Sequence, residues 1–193
     1  MNINLSAPNN LRSPIAEAFR SFRTNIQFSN VDKKIKSLVI TSSIPGEGKS
    51  TIAFNLAVSI AQTEKRVLLI DTDLRKPNIY SYIEIQDSVG LTNIIVQDMD
   101  YREVLHSKED FLNLDIIISG PVPPNPSEIL DSEKMKSLMD ELEQEYDMII
   151  LDSPPVGLVT DAAVLSTIVD GVIMVCAASK TKREDIGKAI DSL

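Results

Sequence analysis

Ser43-Ile44-Pro45-Gly46-Glu47-Gly48-Lys49-Ser50-Thr51 is the stretch on which the reading of this chain turns. Before it, Ser37-Leu38-Val39-Ile40-Thr41 is short, mostly apolar and partly β-branched, the composition of a buried strand. After it, Ile52 to Ala61 has helical composition. A strand that feeds a glycine-containing turn and then a helix is the context in which such a turn holds phosphate. Successive backbone N–H groups and the positive end of the helix then point at one anion, so a triphosphate is held largely by main chain. Pro45, Gly46, Glu47, Gly48, Lys49, Ser50 and Thr51 are therefore the expected cradle. Lys49 would supply a point charge at the β- and γ-phosphates of ATP, and the Ser50 hydroxyl would be a ligand for Mg²⁺. The first glycine of the usual G-x-x-x-x-G-K-[ST] pattern is here Ser43.

Two further apolar runs end in acids. Val67-Leu68-Leu69-Ile70 leads into Asp71-Thr72-Asp73, and residues two apart on a strand share a face, so Asp71 and Asp73 are expected to project together from the carboxyl end of a sheet. Two acids beside a triphosphate repel it unless a cation intervenes, so the pair implies Mg²⁺ or a proton-accepting role. Met148-Ile149-Ile150-Leu151 ends in Asp152, the type of aspartate that helps hold the Mg²⁺ that Ser50 also ligates.

Length and composition bound the rest. At 193 residues, with 43% hydrophobic and 24% charged residues, the chain suits one soluble globular domain. It has no run of 18 apolar residues and no basic segment followed by an apolar one, so a cytosolic location is expected. The formal net charge of −9 argues against nucleic-acid binding and against direct attraction to anionic lipid, and a membrane role would need a partner. Cys176, inside Val172-Ile173-Met174-Val175-Cys176-Ala177, reads as a small buried hydrophobe, and His106, in a polar stretch, as a surface residue.

Residues 1–12 read as an N-terminal arm and 13–193 as one domain. Ser13-Pro14 starts a helix whose buried stripe is Ile15, Phe19, Phe22 and Ile26, with Glu17, Arg20 and Arg23 in a slanting row off it. Leu91–Val96 and Tyr101–Leu105 read as short helices, and Leu114–Ile118 as a strand. Pro126 with Ser127 opens a helix, and Met135, Leu138, Met139 and Leu142 make Ser132–Glu145 amphipathic. A short helix from Thr160-Asp161, a strand over Gly171–Ala177 and a helix from Thr181 to Leu193 complete the order. Strands alternating with helices predict an α/β fold with a doubly wound, mostly parallel sheet of the P-loop NTPase type.

From Ser13 to Leu193 the chain resembles a bacterial tyrosine kinase (BY-kinase), the cytoplasmic kinase of capsular and exopolysaccharide synthesis systems. The resemblance is carried by SSIPGEGKST, LLIDTDLRKP, GPVPPNPSEIL and IILDSPP, with EAFRSFR matching an E-x-x-R-x-x-R helix motif. It implies Lys49, Asp71 and Asp73 as catalytic residues, with Asp71 the base for a tyrosine hydroxyl, and Ser50, Asp73 and Asp152 at Mg²⁺. It also implies a ring-shaped homo-oligomer through Glu17, Arg20 and Arg23, a membrane adaptor that recruits and activates the kinase, and protein tyrosines as substrates. Related partition and septum-site ATPases carry a lysine at the second loop position, here Ile44, so the transferring charge would be met by Lys49, Mg²⁺ and Arg75 or Lys76. Family members end in a tyrosine cluster after a further strand. Here Tyr80, Tyr82, Tyr101 and Tyr146 are scattered and the chain stops in a helix. A P-loop ATPase that drives assembly and a nucleotide-gated scaffold with little kinase activity remain alternatives at this stage.

Overall fold

Strand β1 (Ser37–Ser42) is buried at every residue because helices cover both faces of the sheet there, and its edges pair with β5 (Met148–Asp152) on one side and β6 (Gly171–Val175) on the other. β2 (Val67–Asp71) lies between β5 and β4 (Leu114–Ile117). The sheet order is β3-β4-β2-β5-β1-β6, parallel throughout except for β3 (His106–Ser107), which pairs antiparallel with β4. The computed structural model describes residues 13–29, 34–85 and 88–193, and the arm expected over residues 1–12 lies outside the described residues.

The two faces of the sheet are covered by different helices, and strand alternation divides the core between them. Leu38, Ile40, Val67, Leu69 and Ile150 pack on one face with Phe54, Leu56 and Ile60 of α2 (Lys49–Ala61) and Phe19 and Ile26 of α1 (Pro14–Phe28). Val39, Leu68, Ile70, Ile149 and Leu151 pack on the other with α4 (Leu91–Gln97), α5 (Pro126–Leu130), α6 (Glu133–Glu145) and α7 (Asp161–Ser166). This is the predicted doubly wound α/β arrangement. The short α3 (Tyr80–Ile83) follows β2, and α8 (Arg183–Ile190) follows β6.

Local signals set the helix starts. The Ser13 hydroxyl accepts the N–H of Ala16 at 3.1 Å, with Pro14 at the first helical position, and Ser132 caps α6 from Met135 N–H at 3.2 Å. The buried face of α6 is Met135, Leu138, Met139 and Leu142, as the spacing predicts. In α1 the expected stripe is shifted. Ile15 is 40% exposed and Ala16 takes its place beside Phe19 and Ile26.

Two other expectations are corrected. Cys176 is exposed, since β6 is an edge strand and the chain leaves the sheet after Val175. His106 is half-buried rather than on the surface, because pairing with Ile116 draws it into β3.

Candidate active site

Parallel pairing brings the three signal-bearing loops to one edge. Asp71 and Asp152 are register partners at the carboxyl ends of β2 and β5, and Ile40 of β1 is level with Asp152. The Thr72 N–H and hydroxyl both donate to the Asp152 carbonyl, at 2.9 and 2.7 Å, which locks the two strand ends together. Ligands of open parallel sheets bind outside such strand ends. Here a cleft of about 600 Å³ opens, lined by Gly46, Lys49, Ser50 and Asp73 on one side and by Lys76, Tyr80, Pro155 and Leu158 on another.

The phosphate loop has the backbone the sequence requires. Gly46 and Gly48 have φ of 76° and 90°, a region that other residues adopt only under strain, and Gly48 turns the chain directly into α2. Gly157 lets a neighbouring loop close on it, since a Cβ there would lie 2.2 Å from the Ser43 carbonyl. Thr51 is held by a 2.8 Å hydrogen bond between its hydroxyl and that of Tyr82, whose ring stacks on Phe54 with centroids 5.0 Å apart.

The charged residues are placed unequally. Lys49 Nζ donates to Asp73 Oδ2 at 3.0 Å, both side chains being largely buried, and Asp73 Oδ1 accepts the N–H of Lys76 at 3.0 Å. Asp71 does not share a strand face with Asp73, because β2 ends at Asp71 and the chain turns there. Its fully buried carboxylate instead accepts the N–H groups of Ile79 (2.9 Å), Asn78 (3.0 Å) and Asp73 (3.2 Å), and so shapes the following loop. Burial, opposed by those N–H bonds and aided by the charge of Asp73, pushes Asp71 up to about 6.

Asp152 differs again. Both carboxylate oxygens are buried and accept no well-formed hydrogen bond among the described residues, the Ser50 hydroxyl being the nearby polar group that acts on them. Burial pushes its pKa up to about 8, against the pull of the Lys49 charge and with the repulsion of Asp71. Orphaned buried carboxylate oxygens are costly unless a partner arrives. Beside the buried Ser50 they fit a hard cation. No three His, Cys, Asp or Glu side chains converge on a metal position among the described residues. Mg²⁺, which binds through one or two carboxylates plus phosphate oxygens and water, needs no such cluster.

Sequence reasoning missed a network behind the loop that follows β2. Arg75 grips the fully buried Asp161 with Nε to Oδ2 at 2.9 Å and Nη2 to Oδ1 at 3.0 Å, and Nη2 also donates to Ser127 Oγ at 3.0 Å. Ser127 in turn donates to Asp161 Oδ1 at 2.6 Å. Asp161 read only as the start of a helix, and nothing local marks its partner 86 residues away.

The helix motif is also divided. Glu17 pairs with Arg20 on α1, while Arg23 turns inward to the Ser59 carbonyl in the last turn of α2. Arg23 thus caps that helix end within the chain.

The sequence model of the AAA domain family matches residues 35–190. Over its full length the chain is 43% identical to the tyrosine-protein kinase YwqD of Bacillus subtilis (strain 168), covering 81% of that protein. The chain belongs to the bacterial tyrosine kinases. The crystal structure of the chimerical protein CapA2B2 superposes with a TM-score of 0.92 at 37% identity, over 99% of this chain and 83% of that one. The kinase domain of Escherichia coli tyrosine kinase ETK gives 0.90 at 30% identity, over 97% and 72%. The bacterial tyrosine kinase fold is a P-loop NTPase fold, and this chain is an enzyme of that class, a tyrosine-protein kinase.

Proposed function

We propose that this kinase binds Mg-ATP at Gly46–Thr51 and transfers the γ-phosphate to tyrosine hydroxyls of proteins in capsular or exopolysaccharide synthesis and export. The observation that carries this reading is Asp152, a buried carboxyl group without a well-formed hydrogen bond, level with Asp71 and close enough to Lys49 and Ser50 of the phosphate loop to feel both. Ser50 and Asp152 would hold Mg²⁺, with Asp73 beside them, and the cation would offset phosphate charge.

The protein's own groups do the rest. The loop N–H groups and the start of α2 orient the polyphosphate, and Lys49 meets its charge once it leaves Asp73. Asp71, raised to about 6, is suited to accept the tyrosine proton near neutral pH. Its burial under the N–H groups of Asn78 and Ile79 means that this segment must move before a hydroxyl reaches it. Arg75 and Lys76 both line the cleft, but Arg75 is engaged by Asp161, so Lys76 is the cation of that loop with no such partner to release.

Residues 13–193 act in this reading as one kinase domain. Glu17, which is exposed, and the half-buried Arg20 paired with it would form the contact in a ring of like subunits. No helix among the described residues is long and apolar enough to cross a membrane, so the reading includes a membrane adaptor that recruits the kinase from the cytoplasm.

The test is one incubation of the protein with Mg²⁺, γ-labelled ATP, an adaptor fragment and a tyrosine-rich acceptor peptide. Phosphotyrosine should form and should fall by at least about 10² in Lys49→Ala. Free phosphate without phosphotyrosine, or phosphotyrosine that survives Lys49→Ala, refutes the reading.

A further inference from the structure

Glu47 is an acid inside a loop built for anions, and its side chain turns away from that task. Oε2 accepts the Ser43 N–H at 2.9 Å, the Ser43 hydroxyl at 2.9 Å and the Ile44 N–H at 3.0 Å. Oε1 accepts the Ala177 N–H at 3.0 Å and the Thr181 hydroxyl. Five donors from two loops make this carboxylate a clasp that fixes the segment after β6 against the phosphate loop. Thr181 completes it from the other side by accepting the Ala177 N–H at 3.1 Å.

Lys180 is borne on that clasped segment. A Cβ placed on Gly46 would lie 3.6 Å from Lys180 Nζ, so the ammonium stands within reach of the phosphate-loop backbone, at the border of the cleft rather than in its lining. Lys180 is exposed and makes no side-chain hydrogen bond or ion pair among the described residues. The other cations at the site are differently placed: Lys49 is held by Asp73 and Arg75 by Asp161, Lys76 lines the cleft from the loop after β2, and the second loop position is the apolar Ile44.

We propose that Lys180 is a further cationic contact to the polyphosphate of the bound nucleotide, and that Glu47 is the residue that positions it. The proposal rests on the cradle being the nucleotide site. An unpaired ammonium beside backbone that faces an anion is favourable, and a hydrogen bond between charged groups at such a site corresponds to roughly tenfold or more in affinity.

The test is equilibrium binding of ATP and of adenosine to the intact chain at low and high salt, for the wild type, Lys180→Ala, Lys180→Arg, Lys49→Ala and Glu47→Gln. Lys180→Ala should weaken ATP binding about tenfold and leave adenosine unchanged, with the loss shrinking at high salt. Lys180→Arg should restore ATP to within about threefold. In a Glu47→Gln background, Lys180→Ala should add less than about twofold, since the segment is no longer held in place. ATP affinity within about twofold of wild type in Lys180→Ala, while Lys49→Ala weakens it more than about tenfold, overturns the role of Lys180 and leaves the cradle standing. No loss in either variant overturns the cradle reading and the proposal with it. Full additivity of Glu47→Gln and Lys180→Ala overturns the positioning role of Glu47.

Discussion

Replacing Glu47 by glutamine tests the clasp through stability alone. Burial by itself would raise the Glu47 pKa, but the Thr181 hydroxyl, the N–H groups of Ile44 and Ala177 and the Ser43 side chain outweigh it and hold the group at about 2, against 4.5 ordinarily. The side chain is 8% exposed, so solvent screens little of this. A carboxylate with a depressed folded pKa stabilises the fold fully above its unfolded pKa and loses that contribution as pH falls through the folded one. Holding the carboxyl that far below its ordinary value corresponds to roughly 3 kcal/mol at pH 7, and to about half of that at pH 3. Urea unfolding should be followed by circular dichroism, because the chain has no tryptophan. Wild type and Glu47→Gln should differ by about 2 to 3 kcal/mol at pH 7, with the gap narrowing to about half near pH 3. A gap that is absent at pH 7, or that stays constant down to pH 3, refutes the assignment of that stabilisation to the ionised carboxylate.

Asp152→Asn should raise the stability of the protein without added metal by about 1 to 3 kcal/mol, and the rise in melting temperature expected for the wild type with Mg-ADP should be lost. Because burial raises the Asp152 pKa to about 8, its ionisation subtracts stability as pH climbs from its unfolded value through that point, so the advantage of the variant in thermal melts should grow from pH 5 to pH 8. At the network behind the β2 loop, Arg75→Ala should destabilise by about 2 kcal/mol, since it strands the fully buried Asp161. Asp161→Asn should cost about 1 kcal/mol, since it leaves the 40% exposed Arg75 to water; equal losses in denaturant titrations would contradict this asymmetry.

What was legible in the sequence was local. Ser37–Thr41 before a glycine turn, and Met148–Leu151 ending in Asp152, announce strands and their chemistry because a parallel strand buried on both faces is a continuous apolar run. Pro126 and Ser132 announce helix starts for equally local reasons. β3 left no trace, because two residues have no period and His106–Ser107 is a strand only through its pairing with β4. The apolar run to Cys176 reads as buried, yet whether a strand has a neighbour on its second edge is set by sheet order. Alternation places Asp71 and Asp73 on one face only if the strand continues, and it stops at Asp71. The roles of Glu47 and Asp161 depend on partners about 130 and 86 residues away, which no window of sequence contains.

The charges at the phosphate loop are balanced within the chain. Lys49 and Asp73 face each other at 3.0 Å with only 14% and 6% of their side chains exposed, so each neutralises the other where water is scarce. A polyphosphate arriving alone would take Lys49 and leave Asp73 and Asp152 as unpaired acids beside a new anion, at a penalty of several kcal/mol. A divalent cation arriving alone would find one carboxylate already committed to a lysine. Arriving together, phosphate would replace Asp73 at Lys49 while Asp152 and Ser50 would hold the cation, with Asp73 beside them, so neither acid would be left facing an anion alone. Metal and nucleotide should therefore bind with positive coupling, each tightening the other by the same factor. The origin of that coupling lies in the 3.0 Å ion pair that both must break.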